Sequence, residues 1–376
     1  MKLLIVASVP IHLHTFWRPY ARFFRAKGWL VDGGAANIAA WQPSLKGDFD
    51  NLVELPFLRD PFRSLHKLPS QFFILRRIRQ LTANYDIVHV NTPMAAFITR
   101  LAWRNKKRPY IVYTAHGFHF FKGNHSKFDF LYYLLEKVAS KWTDLILTMN
   151  EEDYEAACSF KTSPVKLIPG IGIDLSVYTQ SAVRQVRNQL GLGKHDRLIV
   201  SVAELIQRKG HVDILAAMEK LPTTVHLALV GNGRLEAKLL KKVKDRNLSD
   251  RVHFVGFQQD VSAWLAEADV TVLCSRHEGL PRCIMESMSV GTPVIASDVR
   301  GSRDLLKTGA GFLYPPGNID KLIEQLTFVL NPSNRHYIDY STKFAKKEIL
   351  KYEQSVLLDI HEMLYQQITH NPKENV

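Results

Sequence analysis

The stretch CSRHEGLPRCIMESMSVGTPVIASD, Cys274 to Asp298, decides the fold of this chain. The residues leading into it, Val270-Thr-Val-Leu-Cys274, form an apolar run of strand length and read as a buried strand. The residues after Leu280 read as a helix, with Pro281 near its first turn, where a missing N–H costs nothing. Gly291-Thr-Pro293 ends that helix, and Val294-Ile-Ala296 begins the next strand. This places Glu278 on a strand-to-helix loop and Glu286 about two turns into the helix. A loop that feeds a helix N-terminus at the carboxyl end of a parallel strand is where α/β proteins bind phosphorylated ligands. Carboxylates there cannot hold the phosphate itself. They are suited to accept hydrogen bonds from hydroxyls at either end of a sugar nucleotide.

The same alternation runs outward. Leu3–Val9, Ile87–Val90, Tyr110–Thr114 and Leu145–Thr148 are short apolar runs, with helical patterns over 16–28, 71–83, 94–105 and 127–141 between them. The pattern restarts with Leu198–Val202, Val225–Val230, Val252–Val255, Val270–Leu273 and Val294–Ala296. Helical patterns over 210–220, 233–247, 260–267, 281–290 and 318–330 separate these. Such alternation predicts parallel sheets covered on both faces, so the fold class is α/β, with two successive doubly wound Rossmann-like units. Ile168-Pro-Gly-Ile-Gly-Ile-Asp174 carries a Pro and two Gly and is the natural linker. The expected division is 1–168, a linker over 169–180, a second domain over 181–336, and a helical C-terminal segment over 337–376.

Composition sets the bounds. The chain has 376 residues, 46% apolar and 23% charged, which is ordinary for a globular protein with room for two or three domains. Its net charge of +13 is unevenly placed: residues 1–170 hold 23 Lys and Arg against 13 Asp and Glu. That half attracts anionic partners, namely anionic lipid or a polyphosphate-bearing acceptor. Nucleic acid ranks last, because no nucleic-acid motif accompanies the charge. The three cysteines, Cys158, Cys274 and Cys283, are odd in number and form no Cys-x-x-Cys. They fit a reducing cytoplasm and neither a disulfide framework nor a zinc site. The start, Met-Lys-Leu-Leu-Ile-Val, could pass for a signal peptide, but its apolar run is short and His12, His14 and Arg18 follow, so it reads as a first strand. No apolar stretch is long enough to span a bilayer.

Several loops carry chemistry. Gly231-Asn-Gly233 follows a strand and opens a helix; it is either a backbone cradle for a ligand or a plain strand-to-helix turn. It lacks a third glycine, and the first strand lacks G-x-G-x-x-G altogether, which counts against a nicotinamide or flavin enzyme. Arg208 and Lys209, just before a helix N-terminus at another strand's carboxyl end, can neutralise a diphosphate without a metal ion. Thr114-Ala-His116-Gly117-Phe-His119 follows a strand of the first unit; either histidine can donate to a sugar hydroxyl or phosphate. His12 lies similarly after the first strand and could face the same cleft. Asp48-Phe-Asp50 superficially matches a metal-binding Asp-x-Asp but reads as a solvated loop. Residues 16–27 place Phe16, Tyr20, Phe23 and Phe24 on one helical face and Arg18, Arg22 and Arg25 on the other. The stretch Phe57–Leu81 is again aromatic and basic. Taken alone, each reads first as a core-facing stripe with a solvated basic back; the positive balance of the first half is what raises attachment to an anionic membrane surface.

Taken together these residues resemble a retaining GT-B glycosyltransferase of family 4, the group 1 family, and within it the bacterial exopolysaccharide and capsule enzymes. The resemblance is carried by His12…Pro19-Tyr20, Tyr113-Thr-Ala-His-Gly-Phe-His-Phe120, Asn150-Glu-Glu-Asp-Tyr154, Ile168–Asp174, Arg276–Glu286 and Val299-Arg-Gly-Ser-Arg-Asp304. It implies two domains facing a cleft, with the C-terminal helix crossing back to the first. The donor nucleotide-sugar, UDP-linked by family habit, is then held by the second domain, and a lipid-linked saccharide acceptor by the first. By position, Glu286 is implied to bind the ribose and Glu278 the donor sugar near the reacting carbon. The amides of Gly279, Leu280 and Arg282 face sugar and diphosphate. Lys209 neutralises the diphosphate and His116 touches the transferred sugar. Glu204 stands where the family usually has an arginine, and Arg208 is the candidate substitute. Transfer of this kind keeps the anomeric configuration and needs no protein nucleophile, cofactor or divalent ion. Two rivals share the fold: a non-catalytic sugar-nucleotide-binding scaffold and a nucleotide-sugar epimerase. The set Glu278, Glu286 and Lys209 favours catalysis over the first. The basic half, which suits a second substrate at the inner face of the cell membrane, argues against the second.

Overall fold

The computed structural model describes residues 1–57, 68–104, 108–123, 126–179 and 185–370. The chain forms two units. One is Met1–Ile171 with Val356–Val376, and the other is Gly172–Ser355.

The first unit is built on a parallel sheet of β1 (Lys2–Val6), β2 (Leu30–Ala35), β3 (Leu52–Glu54), β4 (Ile87–Val90), β5 (Tyr110–Ala115), β6 (Leu145–Thr148) and β7 (Val165–Leu167). Their order is β3-β2-β1-β4-β5-β6-β7. Leu3–Val6 are wholly buried, as expected of strands covered by helices on both faces. Three of these strands, β2, β3 and β7, are absent from the sequence reading. β2 has the sequence Leu-Val-Asp-Gly-Gly-Ala, which looks like a turn. Its glycines are needed because Phe49 and Leu55 pack directly over them, and Asp32 is held by Tyr85 Oη at 2.6 Å and the Asn51 amide at 2.9 Å.

The helix after β1 does not begin cleanly. A short helix Pro10–His12 and a π-helical turn Leu13–Trp17 precede the helix Arg18–Ala26. Its aromatic face is core: Tyr20 and Phe24 are fully buried. Its basic back is not free for lipid. Arg18 and Arg22 both bind Asp48, and Arg25 binds Asp50 at 2.9 Å. Asp48 is 4% exposed, so the solvated-loop reading of Asp48-Phe-Asp50 is overturned; the segment lies between β2 and β3 and clamps the helix by ion pairing. In the second aromatic and basic stretch, 58–67 lie outside the described residues. From there the helix Leu68–Thr82 buries Ile78, exposes Phe73, Arg76 and Arg77, and uses Arg79 to donate to the Ala102 carbonyl.

The second unit carries β8 (Arg197–Val202), β9 (Val225–Val230), β10 (Val252–Gly256), β11 (Val270–Leu273), β12 (Val294–Ser297) and β13 (Phe312–Tyr314). All are parallel, in the order β10-β9-β8-β11-β12-β13. Each sheet reverses its strand order once, between β1 and β4 and between β8 and β11. These reversals open a crevice at the strands' carboxyl ends, where ligands bind in doubly wound sheets. The helix Arg335–Glu348 and the turn Ile349–Tyr352 pack within the second unit. The helix Gln354–His370 buries Leu357, His361, Leu364, Tyr365 and Ile368 along one face. That face meets Tyr20, Phe24 and Trp17 of the first unit's core.

Candidate active site

In the second unit the reversal point brings together two loops that are distant in sequence. One follows β8 and ends in the 3₁₀ turn Gln207–Lys209; the other follows β11 and runs into the helix Arg282–Val290. The Arg276 amide donates to the Arg208 carbonyl at 2.8 Å and ties them. Lys209 Nζ then donates to Glu278 Oε1 at 2.6 Å. Arg208 Nη1 donates to the His277 carbonyl at 2.7 Å and lies 3.4 Å from Glu278 Oε2. Glu278 is 6% exposed. Burial alone would raise its carboxyl pKa, but the charges of Lys209 and Arg208 outweigh burial and hold it below the usual range. Two cations against one carboxylate leave an excess of positive charge beside a helix N-terminus, which suits a diphosphate.

Pro281 is extended (φ −75°, ψ 114°) and precedes the helix, which starts at Arg282. Glu286 therefore stands one turn inside, not two. Its Oε1 accepts from Arg282 Nε at 2.9 Å and from Tyr178 Oη at 2.8 Å, so two side chains fix the carboxylate's orientation. Gly279 and Leu280 lie between the two glutamates and are braced from below. Arg300 Nε donates to the Glu278 carbonyl at 3.1 Å, and its Nη2 donates to His277. A Cβ on Gly301 would stand 1.9 Å from the Gly279 carbonyl oxygen, so only glycine allows that helix to approach the loop.

Gly231 and Gly233 follow β9. A Cβ on Gly231 would fall 2.2 Å from the Ala203 carbonyl and one on Gly233 2.6 Å from that of Leu205. Both glycines are thus required by backbone packing against the loop after β8. The sequence reading passed over His211, which follows Arg208-Lys209-Gly210 directly; that adjacency was the available signal. It is buried, neither ring nitrogen has a partner, and burial with Lys209 nearby pushes it down to about 4. A hollow of about 660 Å³ lined by Val186, Leu190, Val255, Ala263 and Trp264 contains none of these residues.

In the first unit the β1–β4 reversal brings His12 and His116 together, with ring centroids 6.4 Å apart. His116 Nε2 lies 3.4 Å from Asn91 Oδ1, the residue following β4. Burial, then His12, pushes His116 down to about 3, so it is a neutral hydrogen-bonding group at physiological pH. His12 Nδ1 is buried without a partner. His119 stands apart from this pair: it is exposed and packs on Tyr132 at 5.2 Å.

The fold defines a class first: two doubly wound parallel α/β units of GT-B type. The family model of glycosyl transferases group 1 matches residues 183–345, and that of Glycosyltransferase Family 4 matches 38–177. EpsD of Bacillus subtilis (strain 168), named as a glycosyltransferase, is 33% identical over 342 residues, covering 86% of this chain and 87% of that one. The UDP-Gal:alpha-D-GlcNAc-diphosphoundecaprenol alpha-1,3-galactosyltransferase of Escherichia coli is 30% identical over 258 residues, 65% of this chain and 66% of that one. Among solved structures, Anabaena Alr3699/HepE in complex with UDP-glucose superimposes with a TM-score of 0.77 at 21% identity, covering 97% of this chain and 99% of that one. The chain belongs to the group 1, family 4 glycosyltransferases, and it is an enzyme that transfers sugars.

Proposed function

We propose that this glycosyltransferase moves a sugar from a UDP-sugar to a hydroxyl of a lipid-linked saccharide at the anionic inner surface of the cell membrane, in exopolysaccharide or capsule synthesis, with retention at the anomeric carbon. The observation that carries the donor side is the buried Lys209–Glu278 pair, flanked by Arg208, at the β8–β11 reversal point. Lys209, Arg208 and the N-terminus of helix Arg282–Val290 stabilise the charge that grows on the departing diphosphate. Before the donor binds, Glu278 shields Lys209. With the diphosphate in place the cation is shared, and the carboxylate is left to orient the sugar's hydroxyls. Glu286, aimed by Tyr178 and Arg282, takes the ribose hydroxyls. The amides of Gly279, Leu280 and Arg282 face the sugar and diphosphate.

A leaving phosphate oxygen accepts the acceptor's proton on the same face, so no protein nucleophile is involved. Two cations at the diphosphate site make a divalent ion or other cofactor unnecessary. His116 touches the transferred sugar, and His12 beside it contacts the acceptor. Two observations support the acceptor and base: the net positive charge of the first 170 residues, and relatives whose names specify a UDP-sugar or a diphosphoundecaprenol-linked saccharide. The test is a donor screen that measures nucleotide release with a diphosphate-linked saccharide acceptor, with and without EDTA, and the anomeric configuration of the product. A UDP-sugar turned over equally in EDTA, with retention, is the expected result. Strict dependence on a divalent ion, or an inverted product, overturns the mechanism.

A further inference from the structure

The helix Asp129–Ser140 was not among the segments that the sequence marked for a membrane, yet it presents the more telling surface. Phe130 is 74% exposed, and Phe128, Leu131, Leu134 and Val138 are also exposed. Phe130, Leu131, Leu134 and Val138 fall within one stripe at helical spacing. Lys127 and Lys141 bracket that stripe at its two ends, and Lys137 flanks it. Among the described residues Lys127 and Lys141 make no ion pair, whereas Glu136, the helix's inward carboxylate, is taken by the buried Arg100 at 2.9 Å. On the same side of the sheet, beyond the intervening helix Pro93–Ala102, the helix Leu68–Thr82 exposes Phe73, Arg76 and Arg77, and the two guanidinium groups form no ion pair among the described residues.

We infer that this side of the first unit docks on an anionic bilayer surface, with Phe128, Phe130, Leu131, Leu134 and Val138 entering the interface and Lys127, Lys141, Arg76 and Arg77 meeting lipid phosphates. An apolar stripe alone would fit any apolar partner. Cations at both ends of it and on a second helix of the same side, unpaired among the described residues, select a broad, flat, negatively charged surface. The placement is also productive. The helix starts after the loop that leaves the carboxyl end of β5, so Phe128 and Phe130 stand at the edge that carries His116. A saccharide tethered to that membrane emerges beside His12, the acceptor-side neighbour of His116. This inference rests on the lipid-linked acceptor proposed above and names the surface that brings the enzyme to it.

The experiment is sedimentation with vesicles of phosphatidylcholine alone or with 3:7 phosphatidylglycerol, containing no acceptor, on the full chain and on F130S/L134S and K127Q/K141Q. The wild type is expected to pellet with the mixed vesicles and to be released by salt. The apolar variant should partition about tenfold less or weaker still, and the lysine variant should lose the preference for anionic lipid by a similar factor. Transfer to a short-chain, water-soluble acceptor, measured in parallel, should be unchanged in both variants. That separates this surface from the acceptor reading: loss of soluble transfer in the wild type would defeat the acceptor, not the surface. Variants that pellet like the wild type, or a wild type indifferent to lipid charge, overturn the inference. So does a wild-type dimer that F130S/L134S converts to monomer with vesicle binding intact, because the stripe then seats a second copy.

Discussion

Lys209 and Glu278 are 69 positions apart in sequence, and their side chains are joined at 2.6 Å. Each was picked out because it follows a strand at a helix start. That they would meet was invisible in the sequence, because it depends on β8 and β11 being neighbours at the point where strand order reverses. The same holds for Tyr178, which approaches Glu286 from a segment with no motif of its own. If Lys209 neutralises the departing diphosphate, K209A lowers kcat by about 10²–10³-fold with little change in donor affinity; single-turnover kinetics check it, and near-normal turnover removes Lys209 from the chemistry. If Glu286 holds the ribose, E286Q weakens UDP binding by about tenfold or more while the fold persists. Calorimetry with UDP against 2′,3′-dideoxy-UDP isolates that contact, and unchanged UDP affinity ends the assignment.

At the scale of elements, long apolar strands such as β4, β9 and β11 were legible to the residue, because a parallel strand buried on both faces is written as a continuous apolar run. β2 was not, since its close neighbours Phe49 and Leu55 demand glycine where a sequence pattern expects a turn. The helix Arg300–Leu306 was likewise missed; its Arg and Gly look like loop residues, yet both brace the loop that carries Glu278. G301A forces a methyl into the Gly279 carbonyl, so the second unit should lose about 1–3 kcal/mol by denaturant titration. R300K keeps a charge but not the forked donation to His277 and Glu278. It should lower kcat more than it shifts the unfolding midpoint; equal loss of both would mean the brace serves stability alone.

For the whole molecule, buried histidines give the first unit a directional response to acid. His89 is wholly buried between Tyr365 and Thr114, and burial holds it well below its ordinary pKa; burial pushes His361, stacked near it, down to about 4. The unfolded chain takes up those protons near pH 6.5, whereas folded His361 refuses its proton until about 4 and buried His89 stays neutral well below its ordinary value. Stability from these groups is therefore complete above pH 6.5 and declines below it, by up to about 1.4 kcal/mol per pH unit for each histidine. Thermal unfolding between pH 7.5 and 4.5 should show that slope, and H361Q should flatten it; a flat wild-type profile would contradict the burial argument. Charge was the part of this scale readable in the sequence. Which cations are spent on Asp48 and Asp50, and which, among the described residues, remain unpaired on the helix at 68–82 and at the two ends of that at 129–140, emerged only from the packing.

The helix at Gln354–His370 completes a core begun by residues near the opposite end of the chain. On the ribosome, Trp17, Tyr20 and Phe24 emerge long before Leu357, His361 and Tyr365 exist to cover them. The first unit must therefore wait, with an aromatic face uncovered, through the synthesis of the entire second unit.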